Sequence, residues 1–243
     1  GSNNMARFSP LLDIIDLPFL FASREDAYRV LDGSLGEEMM APLKDHNLRG
    51  LAFWENGFRE ITNSVPPITH PQDLKGLKMR VPTNPLQVKL FESLGAEPVP
   101  MSLSDLYTAL ESGKVDGQDH PLGVVFSTKY YNVQKYLSLT HHEYGALLQV
   151  MTRATFEKLS AAEQKIILSA AREAATYQRK LNAENLEKQI KTFKQAGMVV
   201  NDGIDPGPFK DIVYEPLMEY FLQQSGTKGA ELLKRVEAEL ARP

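Results

Sequence analysis

Residues 72–122 read QDLKGLKMRVPTNPLQVKLFESLGAEPVPMSLSDLYTALESGKVDGQDHPL and contain the clearest secondary-structure pattern in the chain. Asn84 is a good N-cap, Pro85 suits the first position of a helix, and Gly95 is typical of a helix end. The pattern predicts a strand, two helices and a second strand, at Leu77–Pro82, Asn84–Leu94, Ser102–Ser112 and Lys114–Pro121.

Strands and helices alternate through most of the remaining chain as well. Ser23 is a suitable cap for a helix that ends near Leu31, and the triplet Glu55-Asn56-Gly57 is typical of a turn. Further strands are predicted at Leu48–Trp54, Phe58–Thr62, Val133–Thr140 and Ala146–Thr152. This alternation predicts an α/β fold whose sheet is mainly parallel.

The longest helical signal runs from Ser160 to Ala196. Ser160 and Glu163 form a capping box, Gly197 ends the run, and no proline or glycine interrupts it. At 1.5 Å per residue such a helix is roughly 55 Å long, so we expect it to span two lobes. The alternative is a coiled-coil segment for dimerisation, although the heptad spacing is imperfect. A short strand at Met198–Val200 and helices at Phe209–Gln224 and Lys228–Ala241 are predicted to follow.

The composition is that of an ordinary globular protein. Among 243 residues, 42% are hydrophobic and 24% charged, and the net charge of −4 disfavours a nucleic-acid partner or an anionic membrane surface. The absence of cysteine excludes disulfides, thiol catalysis and thiolate metal sites. No apolar run approaches the roughly 20 residues of a membrane helix. The dipeptide Gly1-Ser2 is typical of a cleaved tag, so the lack of a signal peptide is uninformative.

Arg80 is the first candidate for a binding residue. It ends the strand at Leu77–Pro82, and the helix that starts at Pro85 follows at once. Ligands of open α/β sheets bind beyond the carboxyl ends of strands, and helix N-termini favour anions. A guanidinium at that position can hold a carboxylate with two parallel hydrogen bonds. The alternative is an arginine that simply points into solvent.

Other polar residues give weaker signals. Arg59 is a second candidate cation, and the alternative for it is an ion pair with Glu60 or Glu55. The group Asp116, Asp119 and His120 suggests a metal site or an acid/base pair, but its spacing does not fit a calcium loop. The adjacent residues His141-His142 point to opposite faces of a strand and cannot chelate one ion. No phosphate loop or nucleophile motif occurs, so neither a cofactor nor a metal is predicted.

Several motifs in succession resemble one transport family. They are Asp73–Pro82 (DLKGLKMRVP), Gly95–Met101 (GAEPVPM), Leu106–Gln118 (LYTALESGKVDGQ), and Trp54–Arg59 (WENGFR) with Thr62-Asn63. The chain resembles the solute-binding proteins of tripartite ATP-independent periplasmic (TRAP) transporters, the DctP-like family. The likeness extends almost to the C-terminus.

This resemblance implies a two-lobed, periplasmic-binding-protein-like α/β fold of type II character, with one long helix that spans both lobes. Lobe I would contain residues 1–57 and 146–185, and lobe II residues 58–145 and 186–243. Arg80 would bind the ligand carboxylate and Arg59 would face the cleft. By the same matching, the other cleft residues would be Asp119, His120, Thr83 and Leu103.

The implied function is extracytoplasmic capture of a small organic acid, such as a sugar acid or a dicarboxylate, for secondary transport. The implied partners are the ligand and the TRAP membrane subunits, the location is the periplasm, and an oligomer is possible. Two other hypotheses stay open. One is a carboxylate-processing enzyme that uses Asp119 and His120 as an acid/base pair, and the other is a helix-mediated interaction protein.

The resemblance also predicts an N-terminal departure from the family. Family members begin with three strands and two helices before the segment that Asn3–Phe8 resembles, so lobe I is expected to be incomplete here. A shortened form, a misplaced gene start, or a piece supplied by another chain would each explain this. Cleft residues contributed by that region would be absent with it.

Overall fold

The computed structural model describes residues 1–242 and builds one mixed six-stranded sheet with helices on both faces. The helices are α1 (Ser2–Met5), α2 (Arg24–Leu31), α3 (Ser34–Met40), α4 (Pro85–Ser93), α5 (Leu103–Glu111), α6 (Leu122–Ser127), α7 (Arg153–Phe156), α8 (Ala161–Gln195) and α9 (Gly207–Leu240). The strands are β1 (Leu48–Asn63), β2 (Lys78–Val81), β3 (Glu97–Pro100), β4 (Gly117–Pro121), β5 (Tyr136–Thr152) and β6 (Val199–Asn201). Short 3₁₀ segments lie at Pro10–Ile14, Ala41–His46, Pro71–Leu74 and Tyr130–Asn132.

The strand order is β3-β2-β4-β1-β5-β6, and the pairing corrects the expectation of a mainly parallel sheet. β2 runs parallel to β3 and β4, as helical crossovers require, and β5 runs parallel to β6. The two longest strands, β1 and β5, instead pair antiparallel with each other, and β1 also pairs antiparallel with β4. Local alternation of helix and strand does not reveal this long-range antiparallel pair.

The turn predicted at residues 55–57 is wrong, because β1 continues through it from Leu48 to Asn63. Gly57 adopts φ +112°, and the register with β5 shifts between Glu55 and Gly57, so the glycine forms a bulge within the strand. The two strands predicted at 133–140 and 146–152 likewise form the single strand β5. A bulge and a turn use the same residue types, and sequence alone does not separate them.

The long helix α8 has the predicted start and length. The Ser160 hydroxyl accepts from the Glu163 backbone N–H, and the Glu163 carboxylate accepts from the Ser160 N–H, which completes the capping box. Arg179, in the middle of α8, donates to Asp32 at 2.6 Å and to the backbone carbonyl of Phe53 in β1. Near the C-terminal end of α8, Phe193 packs into the apolar cluster that also contains Leu106 and Leu137. One helix therefore ties two regions of the chain together.

The C-terminal helix α9 differs from the two helices predicted there. It runs from Gly207 to Leu240 with a kink at Gly226, whose φ of +61° is non-helical. Its buried face, which includes Phe209, Leu217 and Phe221, packs in the largest apolar cluster. That cluster also holds residues from the N-terminal segment, which was assigned to lobe I, and from β2, which was assigned to lobe II. The predicted lobe boundaries, at residues 57/58, 145/146 and 185/186, stay a prediction. None of the helices within residues 1–242 has the length and apolarity needed to cross a membrane.

The two faces of the sheet pack against different sets of helices. Ile61, Met79 and Val81 pack with α4 and α9 on one side, here called the α4 face. Leu137 packs with α5 and the end of α8 on the other side, here called the α5 face. Side chains alternate between faces along each strand, so this alternation also sorts the polar residues of the candidate site.

Candidate anion-binding site

Arg80 lies on the α5 face at the end of β2, where its Cα pairs with that of Gln118 in β4. The residue is only 4% exposed. Its Nε and Nη2 atoms donate to the carbonyl oxygen of Met101 at 3.0 and 2.6 Å. Met101 is itself held by a backbone hydrogen bond to Val81. The guanidinium is thus fixed against the chain that leads into α5.

The partners of Arg80 are all uncharged. Besides the Met101 carbonyl, the one hydrogen-bond partner of Arg80 in the described part of the chain is the ring Nε2 of His120, at 3.3 Å from Nη1. No carboxylate within residues 1–242 is in ion-pair contact with this side chain, and burial, together with the nearby Arg59, lowers the pKa of Arg80. A guanidinium has five N–H donors, so one N–H on each terminal nitrogen has no partner among the described residues. Free N–H donors on a guanidinium are the groups that bind a carboxylate.

His120 is held neutral beside Arg80. Burial is the main cause of a pKa well below the usual histidine value, and the charges of Arg59 and Arg80 add to it. The ring also bonds to Gln118 through Nδ1 and lies 6.3 Å from the ring of Tyr130. A neutral imidazole leaves the positive charge of Arg80 uncompensated.

Arg59 lies on the opposite face, the α4 face, and carboxyl groups of the chain neutralise its positive charge. Its Nε donates to Asp119 Oδ2 at 2.5 Å, Nη2 donates to the Asp119 carbonyl at 2.6 Å, and Glu143 Oε1 lies 3.7 Å from Nε. Burial opposes both charges, but Arg59 still holds the pKa of Asp119 below its usual range. The ion pair expected with Glu60 or Glu55 is therefore wrong. Strand alternation turns Glu60 away, and its carboxylate binds His141 at 2.6 Å.

The α4 face holds more carboxyl groups than Arg59 can neutralise. Burial raises the pKa of Glu143 well above its usual value, and it raises the pKa of Asp16 to about 8. Ser2 donates to Asp16 at 2.8 Å, and Gln87 donates to Glu143. Asp16 Oδ2, Gln87 Oε1 and Glu143 Oε1 have no hydrogen-bond partner within the described residues. Sequence reasoning missed these three residues; only the cross-strand register of Glu143 with Arg59 could have indicated one of them.

The two adjacent histidines point to opposite sides, as predicted. His142 is buried and approaches Asp119 Oδ2 at 3.2 Å, and Thr140 Oγ1 lies 2.7 Å from its Nδ1. His141 is largely exposed and binds Glu60. The structure brings Asp119 to Arg59 and His142, whereas Asp116 instead accepts from the backbone N–H of Lys78. Residues 1–242 contain no cluster of side chains suited to a metal ion.

Thr83 and Leu103 lie apart from these contacts. Thr83 is exposed and lines a cavity of about 430 Å³ between the N-terminal segment and the start of α4. Leu103 begins α5 and is 48% exposed, two residues beyond the Met101 carbonyl that holds Arg80. Their contact with a ligand stays a prediction.

Most of the chain matches one known protein family. The family described as "Bacterial extracellular solute-binding protein, family 7" (DctP) matches residues 1–222. The chain is 44% identical over 237 residues to the 2,3-diketo-L-gulonate-binding periplasmic protein YiaO of Escherichia coli, covering 98% of this chain and 72% of that protein.

Solved structures of TRAP solute-binding proteins have the same fold as this chain. A TRAP periplasmic solute-binding protein from Polaromonas sp. JS666, bound to D-erythronate, superposes with a TM-score of 0.91 at 36% identity, covering 98% of this chain and 77% of that one. The sugar acid binding protein DctPAm from Advenella mimigardefordensis, in complex with galactonate, gives a TM-score of 0.90 at 33% identity, covering 99% and 78%. These similarities confirm the predicted two-lobed α/β fold and the resemblance to TRAP solute-binding proteins.

Proposed function

The chain belongs to the bacterial extracellular solute-binding proteins of family 7, and from that membership we propose that it captures a sugar acid through Arg80 for a TRAP transporter. The observation that carries this proposal is the pair of unpartnered N–H groups on the buried guanidinium. A buried cation without a counterion is costly. An incoming carboxylate would remove that cost and gain two charge-assisted hydrogen bonds.

The number of available cations favours a monocarboxylate over a dicarboxylate. Of the two arginines at this part of the sheet, Arg59 already has Asp119 and Glu143 as partners. A second carboxylate would have to displace one of them from a buried ion pair. One unpaired guanidinium matches one carboxylate, which agrees with the erythronate, galactonate and diketogulonate of the similar proteins. Four-carbon dicarboxylates are the competing ligand class.

We propose that the uncharged part of the ligand is contacted by His120, Thr83 and Leu103. His120 lies beside Arg80 and is neutral, so it suits hydroxyl and keto oxygens better than a second anion. Arg59 and Asp119, which were also predicted to face the cleft, lie on the α4 face and bind each other, so they are not part of this proposed contact. Thr83 and Leu103 are the exposed members of the predicted set. Closure of lobe I (residues 1–57 and 146–185) on lobe II (residues 58–145 and 186–243) would dry the site and strengthen the Arg80–carboxylate bond.

The same proposal places the protein in the periplasm, where the similar proteins are described, with the TRAP membrane subunits as partners. Two observations support binding over the alternative of a carboxylate-processing enzyme. Asp119 is held ionised by Arg59, and the pKa of His120 lies well below its usual value. Neither group is poised to exchange a proton near neutral pH. A helix-mediated oligomer through exposed residues of α8 stays a prediction.

Calorimetric titration tests the role of Arg80. Binding of D-erythronate, D-galactonate and succinate is measured with the unmodified protein, with Arg80→Ala and with Arg80→Lys. We expect both substitutions to weaken sugar-acid binding by more than about tenfold, because an ammonium cannot provide the two-pronged bond. Arg153→Lys is the control, since Arg153 is exposed and bonded to Glu157.

The uncharged polyol erythritol is the ligand control. It should bind no more tightly to the unmodified protein than to Arg80→Ala, because it lacks the carboxylate. Equal affinity of the unmodified protein and both Arg80 variants for every acid that binds would reject the proposed role.

A further inference from the structure

We propose that Thr62 and Gln118 are positioning residues for Arg80, which they orient through a one-way chain of buried hydrogen bonds. This inference rests on the proposed function, because it explains how the two N–H groups of Arg80 are kept directed at a ligand. Neither residue is bonded to the guanidinium itself. Each acts through His120.

The direction of the chain is set at Arg80. A guanidinium has no acceptor atom, so the contact of 3.3 Å between Arg80 Nη1 and His120 Nε2 requires Nε2 to accept. The proton of the neutral ring must then be on Nδ1. Nδ1 therefore donates to Gln118 Oε1, and the tautomer of His120 is determined by its neighbours.

The chain continues in the same direction from Gln118. Its Nε2 donates to Thr62 Oγ1 at 2.8 Å, and the Thr62 hydroxyl donates to Gln134 Oε1 at 3.0 Å. Gln134 Nε2 donates to Ser64 Oγ at 3.0 Å, and Ser64 donates to the backbone carbonyl of Val133 at 3.1 Å. A carbonyl oxygen only accepts, and an arginine only donates. The chain therefore cannot reverse.

Backbone pairing holds the middle of this chain in place. The Cα of Thr62 pairs with that of Gln118 across β1 and β4, and Gln118 pairs in turn with Arg80 in β2. Thr62 and Gln118 are completely buried. A buried polar group that loses its partner costs more than an exposed one, so a break at Thr62 or Gln118 disfavours the whole arrangement.

The charged and titratable groups around His120 agree with a ring that only accepts from Arg80. Arg80 faces it from β2 and the ring of Tyr130 from the segment after α6. The cross-strand partner of His120 in β1 is Glu60, which binds His141, while the charges of Arg59 and of the neighbouring Asp119 act on the ring without a hydrogen bond to it. Protonation would place an Nε2–H against an arginine N–H. If Gln118 no longer accepted from Nδ1, the ring could adopt the other tautomer, and the same clash would push Arg80 out of its orientation.

Two substitutions of similar shape test the chain. Thr62→Val removes the hydroxyl, and Gln118→Met removes the acceptor for His120. We expect affinity for D-erythronate to fall about threefold for Thr62→Val and about five- to tenfold for Gln118→Met, the range expected for one or two buried hydrogen bonds. Ser138→Ala is the control, because Ser138 is buried in neighbouring β5, accepts from the backbone N–H of Ile68 and is not part of the chain from Arg80 to Val133.

Nitrogen NMR of the imidazole rings supplies a readout that general destabilisation would not change in this way. With the signal assigned by its loss in His120→Asn, His120 of the unmodified protein should be the Nδ1–H tautomer at pH 6–8, and Gln118→Met should shift it towards Nε2–H. An Nε2–H or doubly protonated ring in the unmodified protein overturns the inference, even if neither Thr62→Val nor Gln118→Met folds.

The outcomes separate this inference from the proposed function. Sugar-acid binding that depends on Arg80 but is unchanged in Thr62→Val and Gln118→Met would leave the function standing and reject the hydrogen-bond chain. A protein that binds none of the acids, but shows the Nδ1–H tautomer and its loss in Gln118→Met, would reject the function and keep the chain.

Discussion

The two faces of the sheet treat the same side chain in opposite ways. Arg59 on the α4 face is 2% exposed and Arg80 on the α5 face is 4% exposed, so burial does not distinguish them. Arg59 contacts the carboxyl groups of Asp119 and Glu143, whereas the hydrogen-bond partners of Arg80 among residues 1–242 are a carbonyl and a neutral imidazole. A buried charge needs a partner. Arg59 finds its partners within the chain, and the partner of Arg80 is expected to be a ligand.

The largest expected effect is on stability, when each arginine is replaced by methionine. Arg59→Met leaves Asp119 buried without its cation, and we expect a loss of about 3–5 kcal/mol in the free energy of unfolding. Arg80→Met removes a cation that has no anionic partner in residues 1–242, and we expect a loss below about 1 kcal/mol. Urea denaturation monitored by circular dichroism measures both.

Equal losses of unfolding free energy in Arg59→Met and Arg80→Met would mean that burial of the arginine, and not its pairing with a carboxylate, determines the loss. The two faces of the sheet would then not differ in how they hold an arginine. A useful control is Arg172→Met, since Arg172 is exposed and paired with Glu37 on the surface. Its loss should be within about 0.5 kcal/mol of zero.

A pH-dependent effect, smaller per pH unit, is expected from the excess of carboxyl groups on the α4 face. Burial raises the pKa of Asp16 to about 8, whereas the unfolded chain titrates near the ordinary aspartate value. Between about pH 4 and pH 8 the folded protein holds a proton that the unfolded chain has released. Stability due to Asp16 is therefore fully present below about pH 4, falls as the pH rises from there, and is entirely lost above about pH 8.

Asp16→Asn should remove this dependence. The amide stays neutral, so the stability of Asp16→Asn relative to the unmodified protein should increase by at most about 1.4 kcal/mol per pH unit between pH 5 and pH 8, and level off above pH 9. Thermal unfolding at each pH measures the difference. A difference that stays constant with pH would show that Asp16 is ionised in the folded protein and that the α4 face is neutralised in another way.

Sequence predicted the features that depend on local chemistry. The Ser160 and Glu163 capping box and the following Gly197 located α8, and Asn84 with Pro85 located α4. The strand that carries Arg80 was also found, because its end is marked by a proline and the next helix. Each of these signals lies within a few residues of the feature that it predicts.

Features that depend on distant residues were missed or misassigned. The carboxyl groups that contact Arg59 lie 60 and 84 residues further along the chain. The first part of β1 was predicted to end at Trp54, because the bulge at Gly57 uses the residue types of a turn. Asp16 and Gln87 gave no signal, since a lone polar residue in an apolar segment resembles a surface position. The sequence therefore identified Arg80 as a candidate but not the contrast with Arg59.

A crystal structure of the protein with bound D-erythronate, or with D-galactonate if that acid binds more tightly, would show where the carboxylate is held. We expect its two oxygens within about 3 Å of Nη1 and Nη2 of Arg80, with the hydrogen bonds to Met101 and the Arg59–Asp119 ion pair retained. A carboxylate bound to Arg59 in place of Asp119, with Arg80 still bonded only to Met101 and His120, would contradict the assignment of the two faces.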